Sequence, residues 1–367
     1  MGERRRVLWL IKGLGPGGAE RLLVSFANAT WAPDLEYGCA FVRTDRAHLV
    51  PELEAAGVRV HPLAGAGWPW RLRQLVQQER YQVVHVHSPL VAAVARLVLR
   101  TLPARVRPAI VSTEHNVPEA YHRLTKLAND LTFGLDDVHL AVSTEAVRSA
   151  PRRHRAGVEV MVYGVPLTSV RQMADGPAVR AELGLHPHEV VVGTIANYRA
   201  QKAWPELLAA ARLVVDAAPQ VRFVGVGQGP LEREVTTEHR RLHLGDRFLL
   251  LGHRPDAVRV LSACDIFCLA SVQEGLPVAL MEALVLGLPV VATAVGGVPE
   301  AITDGVEGRL VPPSEPAALA EAILAVATDR EERARLAAGA AARGEGFDIA
   351  PAVERTEALY RELLGSR

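Results

Sequence analysis

The sequence predicts an α/β fold made of two doubly wound, Rossmann-like domains that face a central cleft. Short apolar runs alternate with helical patterns along almost the whole chain, which is typical of parallel strands joined by helical crossovers. Glycine, proline and polar residues interrupt this alternation near Gly164–Asp175, and it then starts again. The length of 367 residues also suits two domains of ordinary size better than one.

The interruption sets the predicted domain boundaries. Residues 1–168 form an N-terminal domain, residues 169–347 form a C-terminal domain, and residues 348–367 hold a helix that we expect to pack back on the N-terminal domain. The predicted strands are Val7–Ile11, Gly38–Val42, Val58–His61, Val83–His87, Ala109–Thr113, Val138–Val142 and Glu159–Tyr163, followed by Val190–Ala196, Val221–Val226, Phe248–Leu251, Ile266–Leu269, Pro289–Ala292 and Arg309–Val311. Predicted helices include Ala19–Ala29, Trp70–Arg80, Pro89–Arg100 and Ala350–Leu364.

The composition excludes one class of function. Lys and Arg total 41, and so do Asp and Glu, which excludes a strongly basic nucleic-acid-binding protein. The charge is uneven, because residues 1–168 hold 21 Lys and Arg against 15 Asp and Glu, whereas the remainder holds 20 against 26. The N-terminal domain can therefore present a basic face.

Three scattered cysteines, Cys39, Cys264 and Cys268, are too few for a disulfide framework, and Cys264 and Cys268 are predicted to be small buried residues rather than metal ligands. The compartment is then expected to be reducing. The longest apolar run, Ala283–Val295, is interrupted by glycine and proline, so no segment is predicted to cross a bilayer. We expect a soluble, cytoplasmic protein.

The stretch KGLGPGGAE follows the first predicted strand and raises the question of a dinucleotide site. Gly13, Gly15 and Gly18 match the G-x-G-x-x-G pattern, in which glycines let the backbone approach a pyrophosphate. That site also needs an acidic residue at the end of the second strand, yet Asp45 comes 27 residues after Gly18. Pro16 removes one amide donor as well. We therefore interpret the stretch as a loop that faces the phosphate of a ligand other than a nicotinamide dinucleotide.

Two cations follow the first predicted strand of the C-terminal domain. Arg199 and Lys202 lie just beyond the carboxyl end of Val190–Ala196, where ligands of parallel sheets bind. A solvated loop is the alternative interpretation, since most loop charges are exposed. The chain uses Lys at three positions among 41 cationic residues, which makes Lys202 more notable.

The second pattern of the C-terminal domain is a pair of carboxylates around the start of a helix. Glu274 precedes Pro277, predicted as the first helical residue, and Gly287 ends the helix. Amides from about Val278 can hold phosphate oxygens, and Glu282 lies one to two turns further along. Carboxylates accept hydrogen bonds from hydroxyl groups, so the arrangement suits a nucleotide sugar. Alternatively, the two glutamates are a dipole partner and an exposed helix residue.

These motifs resemble the retaining glycosyltransferases of the GT-B fold, family 4. The matching segments span nearly the whole chain: GLGPGGAE (Gly13–Glu20), TEHN (Thr113–Asn116), NYRAQK (Asn197–Lys202), VGVGQGPLERE (Val224–Glu234), LGHRPD (Leu251–Asp256) and EGLPVALMEAL to GGVPE (Glu274–Glu300). The resemblance implies transfer of a hexose from a UDP- or GDP-sugar to a glycan or lipid-linked acceptor, with retention of the anomeric configuration.

The resemblance also assigns roles to residues. It places Gly15, Gly17 and Gly18 near the donor phosphates, and it makes Arg199 and Lys202 the groups that neutralise the diphosphate. No divalent metal is implied as a cofactor. The one Asp-Asp pair, Asp136-Asp137, precedes a predicted strand, at the opposite edge of the sheet from such a site.

Further roles follow from the same resemblance. Glu274 would contact the transferred sugar, Glu282 the ribose and Arg254 the surroundings of the base. His115 would face the transferred sugar from the N-terminal domain, although a capped or core histidine is the alternative. The remaining donor-binding residues lie around the helix start: Gly275, Leu276 and Val278. Two positions depart from the family pattern, Tyr163 where the family often has Asn, and Ala203 where it commonly has Gly.

Other functions stay open at this point. A nucleotide-sugar 2-epimerase or hydrolase, or a noncatalytic nucleotide-sugar-binding protein, could share the scaffold. The acceptor is expected to bind the N-terminal domain, whose arginines form either a solvated surface or a basic face for peripheral association with the inner membrane. These arginines are Arg71, Arg73, Arg148, Arg152, Arg153 and Arg155.

Overall fold

The computed structural model describes residues 5–30, 32–117 and 121–365, and the chain divides into two α/β units. The N-terminal unit is Met1–Tyr163 together with Ile349–Arg367, and the C-terminal unit is Gly164–Asp348. The chain therefore leaves the first unit and returns to it with one helix.

The elements of the described residues are numbered along the chain. The strands are β1 (Arg5–Ile11), β2 (Leu35–Phe41), β3 (Arg59–Pro62), β4 (Val83–Val86), β5 (Ala109–Glu114), β6 (Val138–Ala141), β7 (Val158–Val160), β8 (Val190–Ile195), β9 (Val221–Val226), β10 (Phe248–Leu250), β11 (Ile266–Leu269), β12 (Val290–Thr293) and β13 (Gly308–Val311). The helices are α1 (Gly18–Ala29), α2 (Val50–Ala55), α3 (Trp68–Gln78), α4 (Pro89–Leu99), α5 (Arg123–Thr132), α6 (Leu167–Met173), α7 (Gly176–Glu182), α8 (Trp204–Ala217), α9 (Glu232–Arg241), α10 (Ala257–Leu261), α11 (Val278–Val285), α12 (Val298–Ala301), α13 (Pro316–Thr328), α14 (Arg330–Gly344) and α15 (Ala350–Gly365).

Each unit contains one parallel, doubly wound sheet. The strand order of the N-terminal unit is β3-β2-β1-β4-β5-β6-β7, and that of the C-terminal unit is β10-β9-β8-β11-β12-β13. The strand order reverses between β1 and β4 in the first sheet and between β8 and β11 in the second, and ligands bind at such points. The predicted fold class, two Rossmann-like α/β domains, is confirmed.

The predicted strands all occur, with ends displaced by up to three residues. The second strand begins at Leu35 rather than Gly38, because it pairs with β1 from Arg5 onward. The seventh strand ends at Val160 rather than Tyr163, because this edge strand stops where its pairing with Ala141 of β6 stops. Within the described part of the chain, no helix has the length and apolar character needed to cross a membrane.

The returning helix α15 is anchored in the core of the N-terminal unit. Tyr360 is fully buried, and its hydroxyl lies 3.4 Å from the indole nitrogen of Trp9 and 2.6 Å from Nδ1 of His85. Trp9 packs against Tyr37 in a tilted arrangement, with ring centroids 4.8 Å apart. The Tyr37 hydroxyl also donates to the carboxylate of Glu357 in α15 at 3.4 Å, so that α15 contacts three strands, β1, β2 and β4. All three cysteines are free and buried, as predicted for Cys264 and Cys268.

A buried ion pair ties α4 to the segment that follows α5. Arg96 is 0% exposed and donates two hydrogen bonds, of 2.7 and 2.6 Å, to the carboxylate of Asp136. Its remaining donors reach Asn129 and Thr132 of α5 at 2.7 and 3.2 Å, and Ser112 at 3.2 Å. Burial raises the pKa of Asp136, but hydrogen bonds from His139 and Arg96 outweigh it and hold the pKa below its ordinary value. Asp136 therefore has a structural role as the partner of Arg96.

Candidate functional site

Four loops of the C-terminal unit meet at the carboxyl ends of β8, β9, β11 and β12. The loop after β8 is hydrogen-bonded to two of the other loops. The Tyr198 carbonyl accepts a hydrogen bond from the amide of Leu231, in the loop after β9, at 3.1 Å. The Gln201 carbonyl accepts from Val272 of the β11 loop at 2.9 Å. The β11 loop is in turn held by the β12 loop, because the Gly297 amide donates to the Gly275 carbonyl at 2.6 Å. Backbone hydrogen bonds thus fix the loops that carry the predicted residues.

Lys202 and Glu274, predicted separately from two motifs, lie in direct contact. Nζ of Lys202 is 2.5 Å from Oε1 of Glu274, and the side chains are 19% and 7% exposed. The Ser271 hydroxyl donates to the same carboxylate oxygen at 2.6 Å. The carboxylate is therefore neutralised and oriented by groups from two loops. Ser271 was not among the predicted residues.

Arg199 lies in the same loop as Lys202 and is linked to it through the backbone. The Lys202 amide donates to the Arg199 carbonyl at 2.9 Å, which closes a short turn. Among the residues that the structure describes, the Arg199 guanidinium has neither a hydrogen-bond partner nor an ion pair. This half-buried cation is therefore available to an anionic ligand.

Ala203 explains why the family commonly has Gly after the lysine. Its backbone is left-handed, with φ of 46° and ψ of 48°, and it forms the N-cap of α8. Residues with a Cβ atom adopt this conformation at a cost of about 1–2 kcal/mol. The left-handed turn is kept although Ala replaces Gly, and it links Lys202 to the start of α8.

The segment from Gly275 to Val278 leads into α11. Pro277 is the N-cap of this helix and Val278 its first residue, so the prediction of Pro277 as the first helical position was wrong by one residue. Pro277 has extended ψ, 125°, because it links the loop to the helix. Gly287 ends the helix with φ of +71°, as predicted. The first amides of α11 have no acceptor within the helix and carry its positive dipole end.

Close backbone approach explains one glycine of the GGVPE motif. Gly296 has φ of +55°, and a Cβ atom there would collide with the carbonyl oxygen of Glu274. The backbone of the GGVPE motif therefore packs directly against the loop that carries Glu274, Gly275 and Leu276. Glu282 lies in the second turn of α11 and is half-buried.

Arg254, after β10, is engaged by carboxylates of its own neighbourhood. It donates to Asp256 at 2.7 and 2.8 Å and to Glu182 at 2.6 Å. These hydrogen bonds raise the pKa of Arg254 above its ordinary value and lower the pKa of Asp256 to about 2. The structure thus places Arg254 in an ion network with Glu182 and Asp256, separate from the contact between Lys202 and Glu274.

In the N-terminal unit, the glycine stretch joins β1 to α1. Gly17 is the N-cap of α1 and Gly18 its first residue, and the Gly17 amide donates to the Gly15 carbonyl at 2.9 Å. The Leu14 amide donates to the Arg46 carbonyl at 2.7 Å, which ties the stretch to the loop after β2. The glycines therefore form a defined turn at the carboxyl end of β1.

His115, after β5, lies beside two histidines that were not among the predicted residues, His85 and His87. Nε2 of His115 lies 3.0 Å from Nδ1 of His87, which follows β4, and the His87 ring packs against the His85 ring in a tilted arrangement with centroids 4.2 Å apart. His85 is held by Thr113 at 2.7 Å as well as by Tyr360. The signal was the H-V-H spacing at the end of β4, which places both histidines on one face of the strand.

Burial keeps this histidine group neutral. It lowers the pKa of His85 to about 3 and the pKa of His115 to about 4, and it holds the pKa of His87 well below its ordinary value. Nε2 of His87 is buried without a hydrogen-bond partner among the described residues, and His87 is one of the residues that line a cavity of about 10 Å³. That volume is at the lower limit for one water molecule. Tyr163, which departs from the family pattern, lines the same cavity. Its ring stacks on the His115 ring with centroids 6.2 Å apart, and its hydroxyl is hydrogen-bonded to the Thr113 hydroxyl at 3.1 Å.

Comparison with known proteins identifies the relatives of this chain. The family model described as "Glycosyl transferases group 1" matches residues 187–329. The N-acetyl-alpha-D-glucosaminyl L-malate synthase of Bacillus anthracis is 26% identical over 311 residues, which are 80% of this chain and 78% of that protein. The D-inositol 3-phosphate glycosyltransferase of Kribbella flavida is 31% identical over 301 residues, 78% of this chain and 68% of that protein.

A third relative and a solved structure extend the comparison. The UDP-Gal:alpha-D-GlcNAc-diphosphoundecaprenol alpha-1,3-galactosyltransferase of Escherichia coli is 25% identical over 310 residues, 80% of this chain and 78% of that protein. HepE of Anabaena, solved in complex with UDP-glucose, has a TM-score of 0.83 and 22% identity and covers 99% of this chain and 100% of its own. This chain therefore belongs to the group 1 glycosyltransferases, the retaining family 4 enzymes of the GT-B fold that use nucleotide-sugar donors.

Proposed function

We propose that this enzyme transfers a hexose from a UDP-sugar to a glycan or lipid-linked acceptor without the help of a divalent metal. One observation carries the proposal: Arg199, which has no partner in the described part of the chain, lies in the same turn as Lys202, at the sheet edge where the amino end of α11 also lies. That edge offers two fixed cations and a row of free amides to a diphosphate.

The chemistry of the transfer explains why these groups suffice. Breaking the bond between the anomeric carbon and the phosphate oxygen develops negative charge on the leaving diphosphate. Donors held in place before the reaction stabilise such charge without reorganising, which is usually the largest catalytic contribution. In this proposal Arg199 and Lys202 supply the charge, and the amides at Val278 and the following residues supply hydrogen bonds.

Glu274 and Glu282 are proposed to hold the hydroxyl groups on the two sides of the diphosphate. Glu274 would accept from hydroxyls of the transferred sugar, and its orientation by Lys202 and Ser271 limits the directions from which it can do so. Glu282 would accept from the ribose. Gly275 and Leu276 would line the phosphates, and Arg254 stays a proposed neighbour of the base.

The N-terminal unit is proposed to bind the acceptor, and its residues Gly15, Gly17, Gly18 and His115 are proposed to contact the donor. A neutral His115 can both donate and accept a hydrogen bond, which suits a hydroxyl of the sugar. The proton of the acceptor hydroxyl would pass to the leaving phosphate, because retention fits attack on the same face.

The names of the relatives support UDP as the donor nucleotide. The Escherichia coli relative is named for UDP-galactose and for an undecaprenol-linked acceptor, and the Anabaena structure holds UDP-glucose. A lipid-linked acceptor would place the enzyme in the cytoplasm on the inner face of the membrane, in polysaccharide biosynthesis. The basic N-terminal unit would attract anionic lipid there.

A donor screen tests this proposal. The purified chain is mixed with UDP-glucose, UDP-galactose, UDP-N-acetylglucosamine or GDP-mannose, and its unfolding temperature is measured with each. A donor present at 100 times its Kd adds about 2.7 kcal/mol to the free energy of unfolding. Arg199→Ala is the matched variant, and we expect it to lose most of this stabilisation.

Mass analysis after incubation separates the alternatives. A glycosylated acceptor with release of UDP supports the transferase. An altered sugar formed without an acceptor would instead indicate an epimerase, and binding without turnover on any acceptor class would indicate a nucleotide-sugar-binding protein.

A further inference from the structure

Helix α5 of the N-terminal unit exposes its apolar face. Leu124, Leu127 and Leu131 are 69%, 56% and 73% exposed, and they include the two most exposed large apolar side chains of the described residues. Their spacing of three and four residues aligns them on one side of the helix. A folded chain ordinarily turns such a stripe toward its core.

The opposite face of α5 is polar and buried. Asn129 and Thr132 are 2% and 7% exposed, and both accept hydrogen bonds from the buried guanidinium of Arg96. The ion pair of Arg96 therefore determines which side of α5 faces inward. The leucine side chains therefore contribute little apolar burial to this unit, because their side of the helix faces solvent.

Cations flank the leucine stripe. Arg123 and Lys126 each precede a leucine by one position, which places both about 100° to the same side of the stripe. Arg153 donates to the Asp130 carbonyl of α5 at 3.0 Å, so the segment with Arg152 and Arg153 lies beside the helix. Within the described ranges, Arg123, Lys126 and Arg152 have no carboxylate partner. A row of leucines bordered by unpaired cations matches the boundary between acyl chains and phosphate headgroups.

We propose that α5 is the element by which this protein docks on an anionic phospholipid surface. The leucines enter the acyl boundary, and Arg123, Lys126, Arg152 and Arg153 contact headgroup phosphates. A second copy of the chain fits this face less well, because pairing would bring the two cationic borders together. Three leucines on a ten-residue helix also fall far short of the roughly 800 Å² per partner that a stable interface buries.

This inference refines the membrane association proposed above, but its test does not depend on activity. The full chain is sedimented with vesicles of phosphatidylcholine alone or with 30% phosphatidylglycerol, at low and at high salt. We expect binding to the anionic vesicles that weakens with salt, and at least tenfold less binding to the neutral ones.

Three variants separate the contributions. The triple variant Leu124→Ser, Leu127→Ser, Leu131→Ser changes exposed side chains, so it should fold normally and bind anionic vesicles at least tenfold more weakly. Arg123→Gln with Lys126→Gln should lose about fivefold for each cation removed. The matched control replaces three exposed apolar residues of the C-terminal unit by Ser and should bind like the unaltered chain: Met173, Leu213 and Val306.

Each contrary outcome overturns the inference. These outcomes are equal binding to neutral vesicles, unchanged binding of the leucine variant, and a dimer in light scattering that the leucine variant loses. Transfer to a water-soluble acceptor is measured in parallel. If the chain transfers sugar but does not bind anionic vesicles, the proposed function stands and the docking surface is refuted. If it binds anionic vesicles but no sugar donor, the docking surface stands and the proposed function is refuted.

Discussion

Nζ of Lys202 lies 2.5 Å from Oε1 of Glu274, across 72 residues of sequence. A group proposed for the diphosphate and a group proposed for the transferred sugar thus neutralise each other in the chain alone. A donor that binds both must insert its charge beside an existing ion pair. Because Lys carries three N–H donors, Lys202 can contact a phosphate oxygen while it still orients the carboxylate.

Removing either cation should slow the transfer. Charge-assisted hydrogen bonds are worth about 1.5–3 kcal/mol each, so Lys202→Ala or Arg199→Ala should lower kcat/KM at least about tenfold. Steady-state kinetics at saturating acceptor measure this. Arg240→Ala, an exposed cation of α9 in the same unit, is the control and should keep full activity. Full activity of Lys202→Ala would remove it from the site.

The two glutamates should differ in their kinetic effects. Glu282→Ala should mainly raise the KM for the donor, because a ribose contact is the same in the ground state and the transition state. Glu274→Ala should mainly lower kcat, because charge develops on the sugar that it is proposed to contact. Glu321→Ala, an exposed change on α13, serves as the control. Equal effects of both variants on both parameters would refute this division of roles.

Chelation should leave the activity intact. Arg199 and Lys202 can neutralise the leaving diphosphate, so we expect turnover to persist in EDTA and to change little when Mg²⁺ is added. The assay measures UDP release at a fixed donor concentration, before and after dialysis against the chelator. Loss of turnover in EDTA that Mg²⁺ restores would assign the neutralising charge to a metal ion.

Acid should destabilise the N-terminal unit through its histidines. Burial lowers the pKa of His85 to about 3 and that of His115 to about 4, whereas an unfolded histidine titrates near pH 6.5. The unfolded chain then binds more protons between about pH 6.5 and pH 4, so the free energy of unfolding falls as the pH falls through this window. Each histidine contributes a slope of up to about 1.4 kcal/mol per pH unit.

Urea unfolding across this pH window measures the slope. His85→Gln should reduce it by about one proton, while His188→Gln, an exposed histidine of the C-terminal unit, should leave it unchanged. A slope that is the same in all three proteins would show that His85 is protonated as readily in the folded chain as in the unfolded one.

The buried arginine should matter far more for stability than a surface one. Arg96→Met leaves the Asp136 carboxylate buried without its cation, which typically costs 3–5 kcal/mol. Arg355→Met removes an exposed pair with Glu159 and should cost less than about 1 kcal/mol. Chemical denaturation of both variants provides the comparison. Similar losses would mean that Asp136 is protonated or hydrated once Arg96 is gone.

The sequence predicted the fold well because its strands are continuous apolar runs between helical patterns. Strand ends such as Val160 depend on where a neighbouring strand stops, and this is not written in the local pattern. The candidate motifs predicted Lys202 and Glu274 separately, but their contact depends on loops that backbone hydrogen bonds bring together. His85 and His87 were missed because their apolar surroundings resembled an ordinary buried strand.

The exposed face of α5 was missed for a different reason. Its leucine periodicity would predict a helix with Leu124 and Leu131 inside. Arg96, in the preceding helix, reverses that orientation because its N–H groups need the side chains of Asn129 and Thr132. The periodicity of the leucines alone cannot predict these hydrogen bonds to a neighbouring helix.

The contact of Tyr360 with Trp9 spans 351 residues of sequence and constrains the order of events during synthesis. The hydrogen bonds of Tyr360 close the N-terminal unit, yet α15 leaves the ribosome after the whole C-terminal unit has been made. The C-terminal unit, a continuous stretch, can complete its fold first, while the earlier-made strands wait with the surface beneath α15 uncovered. Contacts between such distant residues slow folding, and unpaired apolar surface promotes aggregation in the interval. During translation, the strands that emerge first therefore wait longest for the helix that covers them.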